Sequence, residues 1–263
     1  IEQVAKIPGF EDAGFDTAQA VLEECAKFNE GVLAPLNWAG DINPSSFKDG
    51  VVTTTPGFKE AFKQYAEGGW QALQHPAEYG GQGLPKTIGA ACGEMLNSAN
   101  MSFALCPLLS DGAIEALLTA GSDELKATYL EKLVSGEWTG TMNLTEPQAG
   151  SDLAALKTRA ERQGDHYLVN GQKIWTSAAQ FCRYGMLVVR TDPEVAKHDG
   201  LTCFVLDLAS AGVAIRPIKQ ANGEADFNEV FLTDVRIPDA NRIGEVGNGW
   251  RVTMTTLLNE RLS

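Results

Sequence analysis

The sequence predicts an α+β protein with an N-terminal helical domain, a middle antiparallel β domain and the start of a C-terminal helical bundle. Three observations predict this order. Apolar residues recur with a helical period in the first half of the chain, short β-rich runs follow at regular intervals, and a new helical pattern begins at Trp250. The predicted domain boundaries enclose residues 1–137, 138–246 and 247–263.

The first domain shows helix faces, helix starts and one glycine-rich loop. One helix face carries Val21, Cys25, Phe28 and Val32. Thr55 followed by Pro56 predicts a helix start with the threonine as N-cap. Ser122 opens a further helix that ends near Gly136. Residues 75–85 lack the GxGxxG order and a preceding strand, so they are typical of a structural turn and not of a nucleotide loop.

The middle domain is predicted from turn and strand signals. Asn170-Gly171 is a strong hairpin signal, so residues 165–175 are predicted to form two short strands joined at this dipeptide. Further β-rich runs lie at residues 184–190, 201–208, 230–232 and 235–237. Their short and regular spacing favours an antiparallel sheet over a βαβ unit.

Composition excludes several classes of protein. The chain has 263 residues, a formal charge of -13 and 44% hydrophobic residues, as a globular protein does and a disordered one does not. The acidic balance argues against a nucleic-acid partner. Five cysteines without CxxC spacing and three histidines indicate no disulfide framework, no metal site and a reducing compartment. No uninterrupted apolar run reaches about 18 residues and no signal peptide is visible, so neither a membrane span nor secretion is predicted.

Residues 142–152 open the β domain and carry the first candidate site. The hydroxyls of Thr145 and Ser151 can each donate and accept a hydrogen bond, and backbone amides near Gly150 can bind a polar ring or an anion. The alternative is a turn that satisfies its own polar groups through Thr145 and Asp152. Residue chemistry alone leaves both interpretations open.

Trp175, followed by Thr176 and Ser177, is the second candidate site. An indole beside two hydroxyls suits a flat heterocycle, which needs stacking area and a few hydrogen bonds at its edge. The alternative is a tryptophan that belongs to the core of the β domain.

Five segments, in the same order, strongly resemble the acyl-CoA dehydrogenases over nearly the whole chain: residues 79–83, 144–152, 171–177, 227–238 and 244–250. The string Thr-Glu-Pro-Gln-Ala-Gly-Ser-Asp at 145–152 is highly specific. The resemblance implies helical, β and four-helix domains, with FAD held between the last two and across a subunit interface. It also implies a homodimer or homotetramer, and a chain truncated after the first helix of the third domain.

The resemblance assigns roles to residues of both candidate sites. Positions that match flavin-contacting residues of the family are Met142, Leu144, Thr145, Trp175 and Ser177. The first three would meet the pyrimidine edge of the flavin, and Trp175 would flank its ring. Ser151 matches the serine that contacts the pantetheine arm of the acyl-CoA substrate.

The chemistry of the family needs a carboxylate base on the face of the substrate opposite the flavin. Most members place this glutamate in the C-terminal helical domain, beyond Ser263. Some place it immediately before the arginine of the helix that begins that domain, which is Glu260 before Arg261 in this chain. The alternative for Glu260 is a solvated or paired helix residue. Arg261 matches an arginine near the acyl site, and its alternative is a structural ion pair.

The function implied by the resemblance is α,β-dehydrogenation of an acyl-CoA thioester by FAD, with electrons passed to electron-transfer flavoprotein. The alternatives are an acyl-CoA oxidase or flavin monooxygenase on the same fold, and a non-catalytic assembly subunit. Early segments resemble long members with an extra C-terminal domain and later ones resemble members of ordinary length, so no acyl chain is assigned. The implied location is the bacterial cytoplasm or the mitochondrial matrix, without peripheral membrane contact.

Overall fold

The described chain forms two compact units. The computed structural model describes residues 1–48, 51–221, 223 and 225–260. The first unit consists of Ile1–Leu108 and Val134–Glu137, and the second consists of residues 109–133 and 138–260. The first unit is helical with one small hairpin, whereas the second contains a large sheet and ends in a helix. The predicted α+β order of helices, strands and helix is therefore confirmed.

The described residues include six α-helices. They are α1 (Phe15–Phe28), α2 (Ala34–Ile42), α3 (Phe58–Glu67), α4 (Lys86–Ala120), α5 (Asp123–Val134) and α6 (Gly249–Glu260). A π-helical segment, Asn29–Leu33, joins α1 to α2. The predicted apolar face with Val21, Cys25 and Phe28 packs in the core of the first unit.

Two local details of the first unit differ from the sequence prediction. α3 begins at Phe58, two residues after the predicted start. The Thr55 hydroxyl donates to the carbonyl oxygen of Asn43 (3.0 Å). This threonine therefore bonds to the end of α2 and does not cap α3. Strands β1 (Ser46–Lys48) and β2 (Val51–Thr53) form an antiparallel hairpin. The sequence did not predict it, because three-residue strands are too short to show a period.

The loop at residues 75–85 separates α3 from α4 and closes on itself. The Gly81 N–H donates to the carbonyl oxygen of Pro76 (3.0 Å). The Gly83 N–H donates to the carbonyl oxygen of His75 (2.9 Å). A Cβ atom at Gly81 would lie 1.9 Å from the His75 carbonyl oxygen, so the close approach of these backbones requires glycine. The loop is a turn built on backbone contacts.

α4 is long and apolar but is broken in its middle. Asn100 has φ −161° and ψ 90°, outside the helical region, and its Oδ1 accepts the N–H of Phe103 (3.1 Å). Asn100 therefore ends one helical segment and caps the next. α4 is long and apolar enough to cross a membrane, since an 18-residue stretch of it has a mean hydropathy of 1.4. Polar residues interrupt this stretch, so the count of uninterrupted apolar residues did not detect it. Half of that stretch is buried within the protein, as in a core helix.

The second unit is built on a sheet of eight strands in the described chain. They are β3 (Gly140–Asn143), β4 (Arg159–Gln163), β5 (His166–Ser177), β6 (Tyr184–Arg190), β7 (Leu201–Asp207), β8 (Val213–Pro217), β9 (Phe227–Pro238) and β10 (Arg242–Ile243). Their order is β10-β7-β6-β4-β5-β9-β8, with β3 beside β6. Most neighbours are antiparallel as predicted. β3 and β4 each pair with β6 in parallel, so the sheet is mixed.

The predicted hairpin at Asn170-Gly171 is wrong, and the turn lies earlier. β5 runs through this dipeptide, and the two-residue turn Gly164-Asp165 joins β4 to β5. Gly171 marks a register shift in the pairing of β5 with β9, at φ +155°. A Cβ atom there would lie 2.4 Å from Thr158 Oγ1, so glycine serves a close approach and not a turn.

β9 is one strand where two were predicted, at residues 230–232 and 235–237. Asp234 adopts φ +49° between the two runs, and its N–H donates to Asn170 Oδ1 (2.9 Å). The Asn170 amide donates back to Asp234 Oδ1 (2.9 Å). These two residues face each other across the β5–β9 pair, and the pairing continues on both sides of them.

The core of the second unit lies inside the curled sheet. Tyr167 on β5 and Phe204 on β7 pack with ring centroids 4.9 Å apart, although β4 and β6 separate their strands in the sheet order. The sheet must therefore bend until its two halves face each other. Val169, Leu187 and Val230 are fully buried between these halves.

Candidate functional site

The loop after β3 is the first predicted site and forms a tight turn. The Glu146 N–H donates to the carbonyl oxygen of Ala149 (3.1 Å), and the Ala149 N–H donates back to that of Glu146 (3.0 Å). The two residues between them are exposed, whereas Ala149 is buried. Thr145 precedes this turn and Ser151 follows it.

Glu146 forms a buried ion pair with Lys173 of β5. The distance from Lys173 Nζ to Glu146 Oε1 is 2.8 Å, and the two side chains are 0% and 3% exposed. The carboxylate also accepts the backbone N–H groups of Lys157 (2.6 Å) and Thr158 (2.9 Å) and the side-chain amide of Gln148 (2.7 Å). Four donors therefore surround the carboxylate, which is what a buried charge requires.

The ion pair shifts the pKa of both groups. Burial raises the pKa of the Glu146 carboxyl, but attraction to Lys173 and hydrogen bonds to the carboxylate outweigh burial and bring this pKa to about 2. Burial lowers the pKa of Lys173 to about 8, because lost hydration outweighs the attraction of Glu146. At neutral pH both side chains are therefore charged.

The second predicted site is an irregular stretch at the end of β5. The pairing of β5 with β9 shifts register between Lys173 and Thr176, and Trp175 adopts a left-handed backbone conformation with φ +60°. A tryptophan in this conformation is strained. Trp175 is 53% exposed, and its ring meets the ring of Phe227 edge-on, with centroids 6.1 Å apart. The backbone therefore presents a large indole at the surface beside a second aromatic ring.

A buried amide network holds the same stretch. The Asn228 side chain donates to the carbonyl oxygen of Thr176 (3.0 Å) and to Gln180 Oε1. The Thr176 hydroxyl donates to Asn143 Oδ1 (3.4 Å). Asn143 Nδ2 and Asn228 Oδ1 are buried and have no hydrogen-bond partner among the described residues. The network therefore retains hydrogen-bonding capacity beside the Trp175 stretch.

Direct hydrogen bonds join the two predicted sites. The Ile174 N–H donates to the carbonyl oxygen of Thr145 (2.8 Å). The Thr141 hydroxyl donates to the carbonyl oxygen of Ser177 (2.6 Å). Two adjoining segments therefore carry the residues predicted to contact a flavin, namely Met142, Leu144, Thr145, Trp175 and Ser177.

Three hydroxyls of these segments make no hydrogen bond to any described residue, namely those of Thr145, Ser151 and Ser177. Ser151 is exposed, and the adjacent Asp152 pairs with the exposed Lys197 (2.7 Å). The alternative of a turn satisfied through Thr145 and Asp152 therefore does not match the geometry, since the turn closes through its own backbone and through Glu146.

The predicted base, Glu260, is the last residue of α6. The Glu260 side chain and Arg261 lie outside the described residues. In the part of the chain that the structure describes, no three His, Cys, Asp or Glu side chains gather where they could hold a metal ion.

Sequence reasoning did not single out Glu146, Lys173 or Asn228. Lys173 has the same parity along β5 as Tyr167 and Val169, which face the core. A lysine at an inward position of a strand is the signal that a buried partner exists. The identity of the partner needs the fold, because 27 residues separate Lys173 from Glu146.

Comparison with known proteins identifies the family. The family profile described as acyl-CoA dehydrogenase, N-terminal domain, matches residues 16–137. The profile described as acyl-CoA dehydrogenase, middle domain, matches residues 141–235. These two matches account for most of the chain, and the chain belongs to the acyl-CoA dehydrogenase family.

Each match to an individual relative spans most of this chain but a smaller share of the relative. It is 44% identical over 215 residues to 3-methylmercaptopropionyl-CoA dehydrogenase of Ruegeria pomeroyi, which is 80% of this chain and 37% of the relative. It is 31% identical over 242 residues to mitochondrial isovaleryl-CoA dehydrogenase of Pongo abelii, which is 90% of this chain and 55% of the relative. The chain therefore spans about half or less of the length of these curated relatives.

A solved structure shows the same fold. The complex of glutaryl-coenzyme A dehydrogenase with glutaryl-CoA superposes with a TM-score of 0.82 at 27% sequence identity. The superposition covers 93% of this chain and 60% of that protein.

Proposed function

We propose that the complete protein containing this chain oxidises an acyl-CoA thioester between its α and β carbons, with FAD as cofactor. One observation carries the proposal within this family. The strained and exposed Trp175 adjoins a loop, and the hydroxyls of Thr145 and Ser177 beside it make no hydrogen bond to a described residue. Bound FAD supplies the hydride acceptor for this reaction.

The residues of the two segments fit a flavin. The indole of Trp175 offers a flat accessible face that would flank the ring. The hydroxyls of Thr145 and Ser177 offer hydrogen bonds to the polar edge of a heterocycle. Met142 and Leu144 are proposed to contribute backbone groups to the same edge. These residues bind and orient the cofactor, and none of them forms or breaks a covalent bond.

Ser151 is proposed to bind the pantetheine arm of the substrate. Its side chain is exposed and its hydroxyl makes no hydrogen bond within the described residues. The neighbouring carboxylate of Asp152 pairs with Lys197 (2.7 Å), whereas the Ser151 hydroxyl bonds to no described residue.

We place the catalytic base at Glu260 or at a glutamate further along the complete protein, and Arg261 near the acyl group. The base removes the α-proton as hydride leaves the β carbon. Glu260→Gln keeps the side-chain volume and removes the proton acceptor. If Glu260 is the base, anaerobic reduction of the flavin by substrate slows by at least about a hundredfold. A rate near that of the wild type assigns the base to the later glutamate.

Electron-transfer flavoprotein is the proposed electron acceptor, and a homodimer or homotetramer is the proposed assembly. The proposed location is the bacterial cytoplasm or the mitochondrial matrix. The proposed domain limits are residues 1–137, 138–246 and 247–263. No nucleic-acid partner is proposed, because the chain is acidic, with a formal charge of -13.

The complete protein, purified with FAD and mixed anaerobically with a series of acyl-CoA thioesters, tests this function. We expect at least one thioester to bleach the flavin absorbance, and electron-transfer flavoprotein to restore it faster than air does. A protein that binds no FAD, or a flavin that no acyl-CoA bleaches, contradicts the proposal. Rapid reoxidation by air with product bound would indicate an acyl-CoA oxidase.

A further inference from the structure

The buried Glu146–Lys173 pair sits at the junction of the two segments that the proposed function assigns to the flavin. Glu146 directly follows Thr145, and Lys173 precedes Trp175 by two positions. Each charged residue is therefore a near neighbour in the chain of a proposed flavin contact. Neither charge is accessible, with side-chain exposures of 3% and 0%, so neither can itself contact a bound molecule.

Lys173 holds the loop at two points. Its Nζ donates to Glu146 Oε1 (2.8 Å) and to the carbonyl oxygen of Leu144 (3.1 Å). Leu144 is itself one of the proposed flavin contacts. One residue further along β5, the Ile174 N–H donates to the carbonyl oxygen of Thr145 (2.8 Å). Three consecutive residues of the loop are thus fixed to two consecutive residues of the strand.

Glu146 extends the same junction to a third segment. Its carboxylate accepts the backbone N–H groups of Lys157 (2.6 Å) and Thr158 (2.9 Å), which precede β4. The Thr158 carbonyl oxygen in turn accepts the Arg190 N–H of β6 (2.7 Å). The loop is therefore anchored to the framework of the sheet.

The choice of an ion pair for this position needs a reason other than stability. Apolar residues of similar volume often stabilise a core as well as a buried ion pair does. Charge-assisted hydrogen bonds, however, fix distance and direction, and a half-made set is severely destabilising. A complete set of such hydrogen bonds therefore favours the arrangement of the loop that satisfies it.

We propose that Glu146 and Lys173 are positioning residues that fix the 144–151 loop against β5, so that Thr145 and Trp175 face the same bound flavin. This inference rests on the proposed function for the identity of the ligand. The fixing of the loop is a property of the chain without cofactor. The alternative is that the pair only fills space in the core, and that the backbone hydrogen bonds alone determine the conformation of the loop.

The complete protein with Glu146→Gln and Lys173→Met together is the decisive variant. It removes both charges, keeps one acceptor oxygen for the backbone N–H groups of Lys157 and Thr158, and leaves no unpaired buried ion. Ile237→Ala is the matched control, because Ile237 is buried in β9 and its truncation destabilises the same sheet. Three quantities are measured on each protein: thermal unfolding, amide hydrogen exchange of the FAD-free form, and the dissociation constant for FAD.

We expect the double variant to unfold at a lower temperature than the wild type but no lower than Ile237→Ala. We also expect faster exchange at residues 144–151 and 174–178 and unchanged exchange at 184–190. Its dissociation constant for FAD should rise by about tenfold or more, the effect of losing one charge-assisted hydrogen bond. Ile237→Ala should lower the unfolding temperature and leave loop exchange and FAD affinity unchanged.

Unchanged loop exchange in the double variant overturns the inference, and so does a loss of FAD affinity that Ile237→Ala reproduces. If the wild-type protein binds no FAD, the proposed function fails instead. Hydrogen exchange on the cofactor-free chain then decides by itself whether the pair fixes the loop.

Discussion

The loop around Glu146 and the stretch around Trp175 adjoin each other but are held by different physical means. The loop is fixed by full charges that are almost completely buried. The Trp175 stretch is fixed by neutral amides, and its backbone is held in a left-handed conformation. Neighbouring parts of one site can therefore respond to different perturbations.

The two regions should therefore lose stability under different changes. A charged anchor depends on the protonation of its members and fails badly when one partner is removed. A neutral amide anchor is insensitive to pH but depends on the match of donors and acceptors. A strained backbone adds a third dependence, on the residue type at one position.

The largest effect is expected from removing one charge of the loop anchor. Lys173→Met leaves the Glu146 carboxylate buried without its cation, and the free energy of unfolding should fall by about 3–5 kcal/mol. Urea unfolding of the complete protein followed by tryptophan fluorescence measures this loss. Adding Glu146→Gln to the same variant should recover most of it. A loss below about 1 kcal/mol in Lys173→Met would mean that the pair is not desolvated in solution.

Of the two regions compared, acid should weaken only the loop anchor, because the amide anchor carries no titratable group. The pKa of Glu146 is lowered from 4.5 to about 2 in the folded protein, so the unfolded chain binds the proton first as pH falls. Its stabilising contribution is therefore complete above pH 4.5 and is lost as the pH falls towards 2. This lowering of the Glu146 pKa corresponds to about 3 kcal/mol in the free energy of unfolding at neutral pH. Urea unfolding at several pH values should show a shallower acid loss in Glu146→Gln/Lys173→Met, and parallel curves would contradict the assignment.

Removing the amide anchor should have an intermediate effect. Asn228→Leu preserves approximate volume but leaves the Thr176 carbonyl and Gln180 Oε1 without their donor. The free energy of unfolding should fall by about 2 kcal/mol, equally at pH 4 and pH 7. The matched control is Asn170→Leu, because that amide bonds at an exposed position of the same strand pair and water can replace it. An equal loss in both variants would show that burial of Asn228 does not matter.

The smallest effect concerns the strained backbone. Glycine adopts the left-handed conformation of Trp175 freely, whereas alanine does not. Trp175→Gly should therefore unfold with a free energy about 1 kcal/mol higher than Trp175→Ala, the reverse of the usual order in a strand. Both variants should bind FAD more weakly than the wild type. Greater stability of Trp175→Ala would show that this backbone is not held left-handed in solution.

The order of elements could be predicted from the sequence because it depends on local periodicity. The runs at 184–190 and 201–208 coincide with β6 and nearly with β7. The hairpin prediction was wrong because the glycine of an Asn-Gly dipeptide can serve either a tight turn or a close approach between backbone and neighbouring atoms. Glycine at 171 is required by the nearby Thr158 and not by a turn, and only the packed structure reveals that neighbour.

The candidate site was partly predictable for a similar reason. Hydroxyls and an indole are visible in the sequence as residue types, so Thr145, Ser151 and Trp175 could be predicted as candidate contacts. The anchors beneath them were not, because Glu146 and Lys173 acquire their meaning only from pairing over 27 residues. The left-handed backbone of Trp175 was equally invisible, since no local signal predicts strain in a tryptophan.

The break at Asn100 divides α4 into two helices with independent phase. In an uninterrupted helix, inserting one residue rotates every later side chain by about 100° around the axis and turns the apolar face away from its core. At Asn100 the backbone already leaves the helical region, with φ −161° and ψ 90°. We therefore expect an insertion beside this residue to disturb the two buried helix faces less than an insertion inside either half of α4.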